Sequence, residues 1–150
     1  VGFSVKSISQ HPYQIRMVRW QDEASVLRII RTTVFIHEQR IPEDLEWDDF
    51  DLVSMHVLAL NSDEQPIGTA RLLPDGHIGR MAVLKEWRGK GLGTAMLLRI
   101  LEELRNRRIQ KAILNAQTTA IKFYEKFGFQ VSGKEFTEAE IPHVKMILLL

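Results

Sequence analysis

The chain has 150 residues, 45% apolar and 26% charged, which excludes a disordered or collagen-like protein and fits one globular domain over residues 1–150. Its 20 basic and 19 acidic residues leave a net charge of +1, so no overall field favours nucleic acid or an anionic membrane as a partner. The absence of cysteine also excludes disulfides, thiolate metal ligands and a cysteine nucleophile.

The first third of the chain predicts a strand, a helix and an irregular segment. We treat residues 1–12 as a flexible N-terminal extension and begin at 13–18, where alternating side chains indicate a strand. Asp22 is the expected N-cap of a helix that runs to about Phe35, with apolar residues at helical spacing. Residues 37–51 are acidic and contain a proline, so we expect a loop with at most a short helix.

Three strands are predicted next, over Met55 to Leu60, Ile67 to Leu73 and His77 to Val83. Short turn-forming segments separate them, which indicates consecutive antiparallel pairing.

The second half alternates helices and strands. A stripe of four apolar residues predicts a helix from Thr94 to Arg107. A strand directly after such a helix indicates a crossover with parallel pairing. The expected elements that follow are a strand at Lys111 to Asn115, a helix at Thr118 to Lys126 that stops at Gly128, and strands at Gln130 to Lys134 and Val144 to Leu149. The order indicates one mixed sheet with helices packed on it.

A glycine-rich loop gives the clearest chemical signal. It reads Arg88-Gly89-Lys90-Gly91-Leu92-Gly93 and stands between a strand and the long helix. Glycines allow close backbone approach to a ligand, and the free N–H groups of a helix N-terminus attract anions, which predicts phosphate binding. Leu84 stands where a P-loop needs glycine, and Thr94 and Met96 break the dinucleotide motif. A turn that only starts the helix is the alternative.

Two segments resemble the GNAT superfamily of N-acetyltransferases. Residues 78–98 contain its Arg-x-x-Gly-x-Gly signature, and the sequence ILNAQ followed by residues 120–129 resembles its strand with a terminal Asn and its Phe-Tyr helix. The segments RTTVFIHEQRIP and EIPHVKM are similar to a small bacterial subgroup. The resemblance covers roughly Ile15 to Ile147. It implies an α/β fold with a mixed, mostly antiparallel sheet of 6–7 strands, about four helices and a splayed strand pair that holds the cofactor.

The resemblance also implies how acetyl-CoA is bound. Its pyrophosphate would lie on the backbone amides of Arg88, Gly89, Lys90, Gly91, Leu92, Gly93 and Thr94. Its pantetheine arm would pair with the strand edge at Met81, Ala82 and Val83. Asn115 would bind a pantetheine amide or satisfy the splayed backbone. Tyr124 corresponds to the family's general acid, which protonates the leaving thiolate, although a core role for its ring is the alternative.

The general base is left open by the sequence. Glu38, Glu46 and His77 are candidates because the family takes this residue from different positions, and His143 is another. Glu46 also belongs to a run of six carboxylates in the nine residues 43–51. We interpret this run as a solvated loop or as a lip that attracts a cationic amine.

The resemblance implies an enzyme that moves an acetyl group from acetyl-CoA to a primary amine by direct attack, without a metal. A non-catalytic acyl-CoA-binding or sensor module is the alternative. The acceptor would be a small-molecule or peptide amine, and a homodimer is compatible with the sequence. No apolar run is as long as a membrane-spanning helix, and no signal-peptide core stands near the N-terminus, so we expect a cytoplasmic protein.

Overall fold

A computed structural model describes residues 12–150, so the expected extension lies outside the described residues except for Pro12. The described chain forms one mixed sheet. Its strands are β1 (Tyr13–Arg19), β2 (Met55–Asn61), β3 (Pro66–Leu72), β4 (His77–Val83), β5 (Lys111–Gln117), β6 (Gln130–Val131), β7 (Phe136–Glu138) and β8 (Ile141–Leu149). The expected mixed, mostly antiparallel α/β fold is confirmed, with eight strands in the described part rather than six or seven.

One strand pair is parallel, and it is short. The strand order is β1-β2-β3-β4-β5-β8-β6, with β7 also paired to β8, and every pair other than β4 with β5 is antiparallel. β4 and β5 pair only at His77 with Ile113 and at Ile78 with Leu114. Beyond Ile78 the two strands separate, and this is the splayed pair that was expected.

The α-helices are α1 (Trp20–Arg31), α2 (Glu43–Glu46), α3 (Leu92–Asn106) and α4 (Ile121–Glu125). A π-helical segment, Thr32–Glu38, continues α1, and short 3-10 turns span Asp49–Val53, Lys85–Trp87 and Thr118–Ala120. The longest described helix, α3, has 15 residues, and none in residues 12–150 is long and apolar enough to cross a membrane.

The predicted start of the first helix was wrong. α1 begins at Trp20 with Arg19 as its N-cap, and Asp22 lies in the first turn, where it pairs with Arg19 at 3.4 Å. Glu23 has non-helical dihedral angles and kinks the helix. The Asp22 carboxylate therefore pairs with the Arg19 side chain at the surface, and the N-cap makes no side-chain hydrogen bond to the helix backbone.

Core packing on both faces holds the sheet rigid around the splayed pair. Alternate residues of β2 point to opposite faces: Val57 and Ala59 pack with the buried stripe of α3, and Leu58 and Leu60 pack with α1. Burying each such side chain contributes about 1.5–3 kcal/mol.

The segment after α4 differs from the prediction because it forms an additional hairpin. The expected strand from Gln130 stops at Val131, and β8 begins at Ile141 instead of Val144. Between β7 and β8, Ala139 and Glu140 both have positive φ angles, 51° and 64°, as in a two-residue type I′ turn. Neither is a Gly, Asn or Asp, so the sequence carries no turn signal there.

Candidate active site

A cleft of about 680 Å³ opens where β4 and β5 separate. Glu46, His77, Met81, Asn115, Tyr124 and His143 are the predicted site residues that line it. Glu38, Ala82, Val83 and the loop 88–94 lie outside this lining. The splayed strands therefore bring together the predicted acid, three of the candidate bases and two of the predicted pantetheine contacts.

A β-bulge shapes one wall of the cleft. Thr69 of β3 pairs with Ala82 and Arg71 pairs with Gly79, so Arg80 and Met81 together oppose a single residue of β3. Arg80 has a φ angle of 49°, which is uncommon for a residue other than glycine. At a bulge, backbone groups lose their hydrogen-bonding partners in the neighbouring strand and side chains change direction. Bulges are frequent beside active sites. The sequence did not indicate it, because an arginine gives no signal for positive φ.

The glycine-rich loop has an open backbone at the start of α3. Gly89 and Gly91 have φ angles of +74° and +84°, and a Cβ atom on either would meet no atom within 4 Å. Gly91 is the N-cap of α3, and the Ala95 N–H donates to its carbonyl at 3.0 Å. The N–H groups of the first helical residues precede that bond and have no partner within the helix. These donors can bind an anion, with the helix dipole in its favour.

Glu38 anchors this loop through Arg88. The Arg88 Nη1 and Nη2 atoms donate to the two Glu38 carboxylate oxygens at 2.5 and 2.8 Å, and its Nε donates to the Val83 carbonyl at 3.0 Å. The hydrogen bond from Arg88 lowers the pKa of Glu38. The side chain of Arg88 thus ties the loop to the π-helical segment and to the end of β4.

Tyr124 of α4 reaches the bulged wall from the other side of the cleft. Its hydroxyl lies 3.6 Å from the Met81 sulfur, and its ring packs edge-on against Phe123 and Phe129. Burial raises the pKa of Tyr124 to about 12. The phenol therefore keeps its proton at neutral pH and can donate it to a group in the cleft.

Half of the acidic run is paired with buried arginines. Glu46 and Asp51 accept from Arg31 at 2.7 Å each, and Asp48 accepts from Arg71 at 2.6 Å. Further ion pairs join Glu46 and Asp48 to Arg80, at 3.3 and 3.2 Å, and Asp51 to Arg71, at 3.1 Å. These three carboxylates therefore belong neither to a solvated loop nor to a free acidic lip.

Glu46 shows how strongly this network is buried. It is 2% exposed, and its burial raises its pKa, although the charges of Arg31 and Arg80 oppose that shift. The sequence did not reveal the arginine partners, because they come from α1, β3 and β4.

The two histidines of the cleft differ in their surroundings. His77 is half-exposed at the start of β4, with Nδ1 2.9 Å from the Asp75 carboxylate. His143 of β8 is buried, and its Nδ1 lies 2.7 Å from the Ile141 carbonyl. A carbonyl only accepts, so Nδ1 carries the proton and the Nε2 lone pair is free in the neutral ring.

Two neighbours hold the His143 ring in place. Phe136 stacks on it with a centroid distance of 5.9 Å, and the Glu138 carboxylate is 3.6 Å from Nε2. His143 also pairs across the sheet with Gln117, whose side chain bonds to Gln39 at 3.0 Å. His143 therefore has a fixed tautomer and a position in the cleft wall.

No group of three or more metal-ligating side chains comes together within residues 12–150. The cleft instead offers hydrogen-bonding and apolar side chains to a bound molecule. The start of α3 adds backbone N–H donors.

Comparison with known proteins gives the same assignment from sequence and structure. Residues 22–150 match the model of the acetyltransferase (GNAT) domain. The uncharacterized N-acetyltransferase YjcF of Bacillus subtilis is 36% identical over 122 residues, which are 79% of this chain and 86% of that protein. The Escherichia coli protein ElaA is 31% identical over 147 residues, which are 87% of this chain and 95% of ElaA.

A solved acyl-CoA N-acyltransferase from Pseudomonas aeruginosa superposes with a TM-score of 0.82 at 30% identity, and covers 90% of this chain and 98% of its own. The family match spans most of the described residues, and the splayed sheet and open glycine loop agree with it. The chain belongs to the GNAT family of acyl-CoA-dependent N-acyltransferases.

Proposed function

We propose that this protein transfers an acetyl group from acetyl-CoA to a primary amine, with Tyr124 as the general acid. The observation that carries this proposal is the Tyr124 hydroxyl, which lies 3.6 Å from the Met81 sulfur in the cleft wall and whose raised pKa keeps its proton in place at neutral pH. The match to the acetyltransferase (GNAT) domain supports acetyl as the group that is transferred.

The residues expected to hold acetyl-CoA suit its chemistry. Its pyrophosphate would accept from the backbone N–H groups of residues 88–94, where Gly91 and Gly93 keep side chains out of the way. Its pantetheine arm would pair with the β4 edge at Met81 to Val83, which faces the gap left by β5. Asn115 lines the opposite side of that gap.

In the proposed reaction the amine nitrogen bonds to the thioester carbonyl carbon, and the bond from that carbon to sulfur breaks. Tyr124 gives its proton to the departing thiolate, and a base takes a proton from the amine. We assign the base to His143, which lines the cleft and whose Nδ1 bond to the Ile141 carbonyl leaves Nε2 as the accepting atom of the neutral ring. Glu46, Glu38 and His77 remain candidates, but arginines already hold both glutamates.

The test is release of free CoA thiol from acetyl-CoA, measured with and without amines. We expect release that depends on an amine, and Tyr124→Phe should lower kcat about 100-fold while acetyl-CoA affinity stays unchanged. Tyr13→Phe removes a hydroxyl from the other tyrosine and serves as the control. Binding of acetyl-CoA without release by any amine would instead support the non-catalytic sensor. Wild-type kcat in Tyr124→Phe, with chemistry rate-limiting, would assign the acid elsewhere.

A further inference from the structure

We propose that the acceptor is a primary amine with one cationic centre on an apolar body, either aromatic or branched aliphatic. This inference rests on the proposed function and narrows its acceptor. The inferred class does not include polyamines or other acceptors with several positive charges.

The first argument is the apolar wall at the mouth of the cleft. Leu45 and Phe50 line the cleft, yet they are 56% and 54% exposed. The lining also contains four apolar side chains that are buried or half-buried, namely Phe35, Ile41, Leu73 and Ile78. An apolar body bound between them would cover Phe50 and Leu45 and remove their surface from water.

The second argument is the charge balance of the cleft. Two of its carboxylates, Glu46 and Asp48, are ion-paired with Arg71 and Arg80, and they attract a cation only weakly. Three members of the acidic run make no ion pair with an arginine, and none of the three lines the cleft: Glu43, Asp44 and Asp49. Charge therefore does not favour a long polycation here.

One carboxylate of the described lining lacks an arginine or lysine partner. This is Glu138, whose carboxylate lies 3.6 Å from the Nε2 atom of His143. A single ammonium group can be attracted to Glu138 and can then lose its proton to His143. A second or third ammonium group would find no further unpaired carboxylate in this lining, because Arg71 and Arg80 already pair with Glu46 and Asp48.

The test compares acceptors and side chains in one design. Phenethylamine and isopentylamine serve as apolar monoamines, and spermidine serves as the polycation, with kcat/KM taken from release of CoA thiol. We expect the apolar amines to exceed spermidine at least tenfold in kcat/KM. Phe50→Ala and Leu45→Ala should each raise the KM for phenethylamine about fivefold or more, with little change in kcat.

Leu52 and Val53 provide matched controls. They are 56% and 61% exposed in the same segment but do not line the cleft, so Leu52→Ala and Val53→Ala should leave the KM within twofold of wild type. Equal effects of Phe50→Ala and Leu52→Ala, or a preference for spermidine, would overturn the inference while leaving acetyl transfer intact.

Calorimetry of phenethylamine and spermidine binding in the presence of CoA gives a second readout that needs no turnover. Tighter binding of phenethylamine, weakened in Phe50→Ala, is the expected result. If the apolar amine binds in this way but no amine releases CoA, the proposed function fails and the binding inference stands. Absence of phenethylamine binding would refute the inference.

Discussion

The Arg88 guanidinium binds both carboxylate oxygens of Glu38, 50 residues away in the sequence, at 2.5 and 2.8 Å. Such two-point pairs fix orientation as well as distance. Because Arg88 also donates to the Val83 carbonyl, one side chain sets the position of the glycine-rich loop relative to the end of β4.

Glu38→Gln is therefore expected to raise the acetyl-CoA dissociation constant about three- to tenfold, because a neutral amide replaces a charge-assisted pair. The kcat at saturating donor should change little if Glu38 only positions the loop. Glu86→Gln removes a carboxylate near the same arginine without removing a hydrogen bond and is the control. A large loss of kcat with unchanged donor affinity would instead support Glu38 as the general base.

Gly91→Val should weaken acetyl-CoA binding at least tenfold, because φ is +84° there and a branched side chain crowds the open loop. Gly133→Val is matched for strain, with φ at +98° and open space, but lies outside the loop. It should cost stability without changing donor affinity.

Gly93→Ala separates ligand approach from backbone strain. An added Cβ would only touch Phe123 at an ordinary 3.5 Å, so the variant should fold normally and still bind the donor more weakly. Calorimetric affinities and melting curves measure the two effects. Wild-type affinity in both Gly91→Val and Gly93→Ala would refute the loop as the pyrophosphate site.

His143→Gln should lower kcat about 100-fold, because the variant has no group at this position to accept the proton of the amine. The same change at the half-exposed His77 tests the alternative assignment and should leave kcat near the wild-type value. Burial raises the pKa of Tyr124 to about 12, so Tyr124 should keep its proton at pH values under about 10. In that range, kcat should show no loss caused by ionisation of Tyr124. Wild-type kcat in His143→Gln would move the base to Glu46 or His77.

His56 makes stability depend on pH. It is fully buried against Trp20, and this burial lowers its pKa, so on acidification the unfolded state binds the proton first. Its contribution is present above the unfolded pKa, about 6.5, and is lost as the pH falls towards the folded pKa. One proton gives a slope of at most about 1.4 kcal/mol per pH unit.

We expect His56→Gln to reduce the fall in the free energy of unfolding between pH 7.5 and 5.5, measured by urea denaturation. Equal slopes in wild type and His56→Gln would show that His56 does not titrate on unfolding in this range.

Local sequence patterns were sufficient for much of the fold. The stripe from Leu97 to Leu104 predicted the buried face of α3, and the glycines before it predicted the open loop, because helical spacing and positive φ angles are encoded by near neighbours. The splayed pair required the family resemblance, since periodicity does not report where two strands part.

The remaining features depend on contacts between distant residues. Arg31, Arg71 and Arg80 were not linked to the acidic run, because 15 to 34 residues separate the bonded partners. The bulge at Arg80 and the turn at Ala139 and Glu140 place ordinary residues at positive φ, which tertiary packing enforces and local sequence does not announce.

The short seam between β4 and β5 has a consequence for thermal stability. Within residues 12–150, β4 and β5 share only two ladder pairs, so the two halves of the sheet are weakly joined by strand pairing. A donor molecule bonded to both halves would therefore act as a cross-link that only the native state can form. At 100 times its dissociation constant such a ligand adds about 2.7 kcal/mol to the free energy of unfolding, and the melting temperature rises with donor concentration.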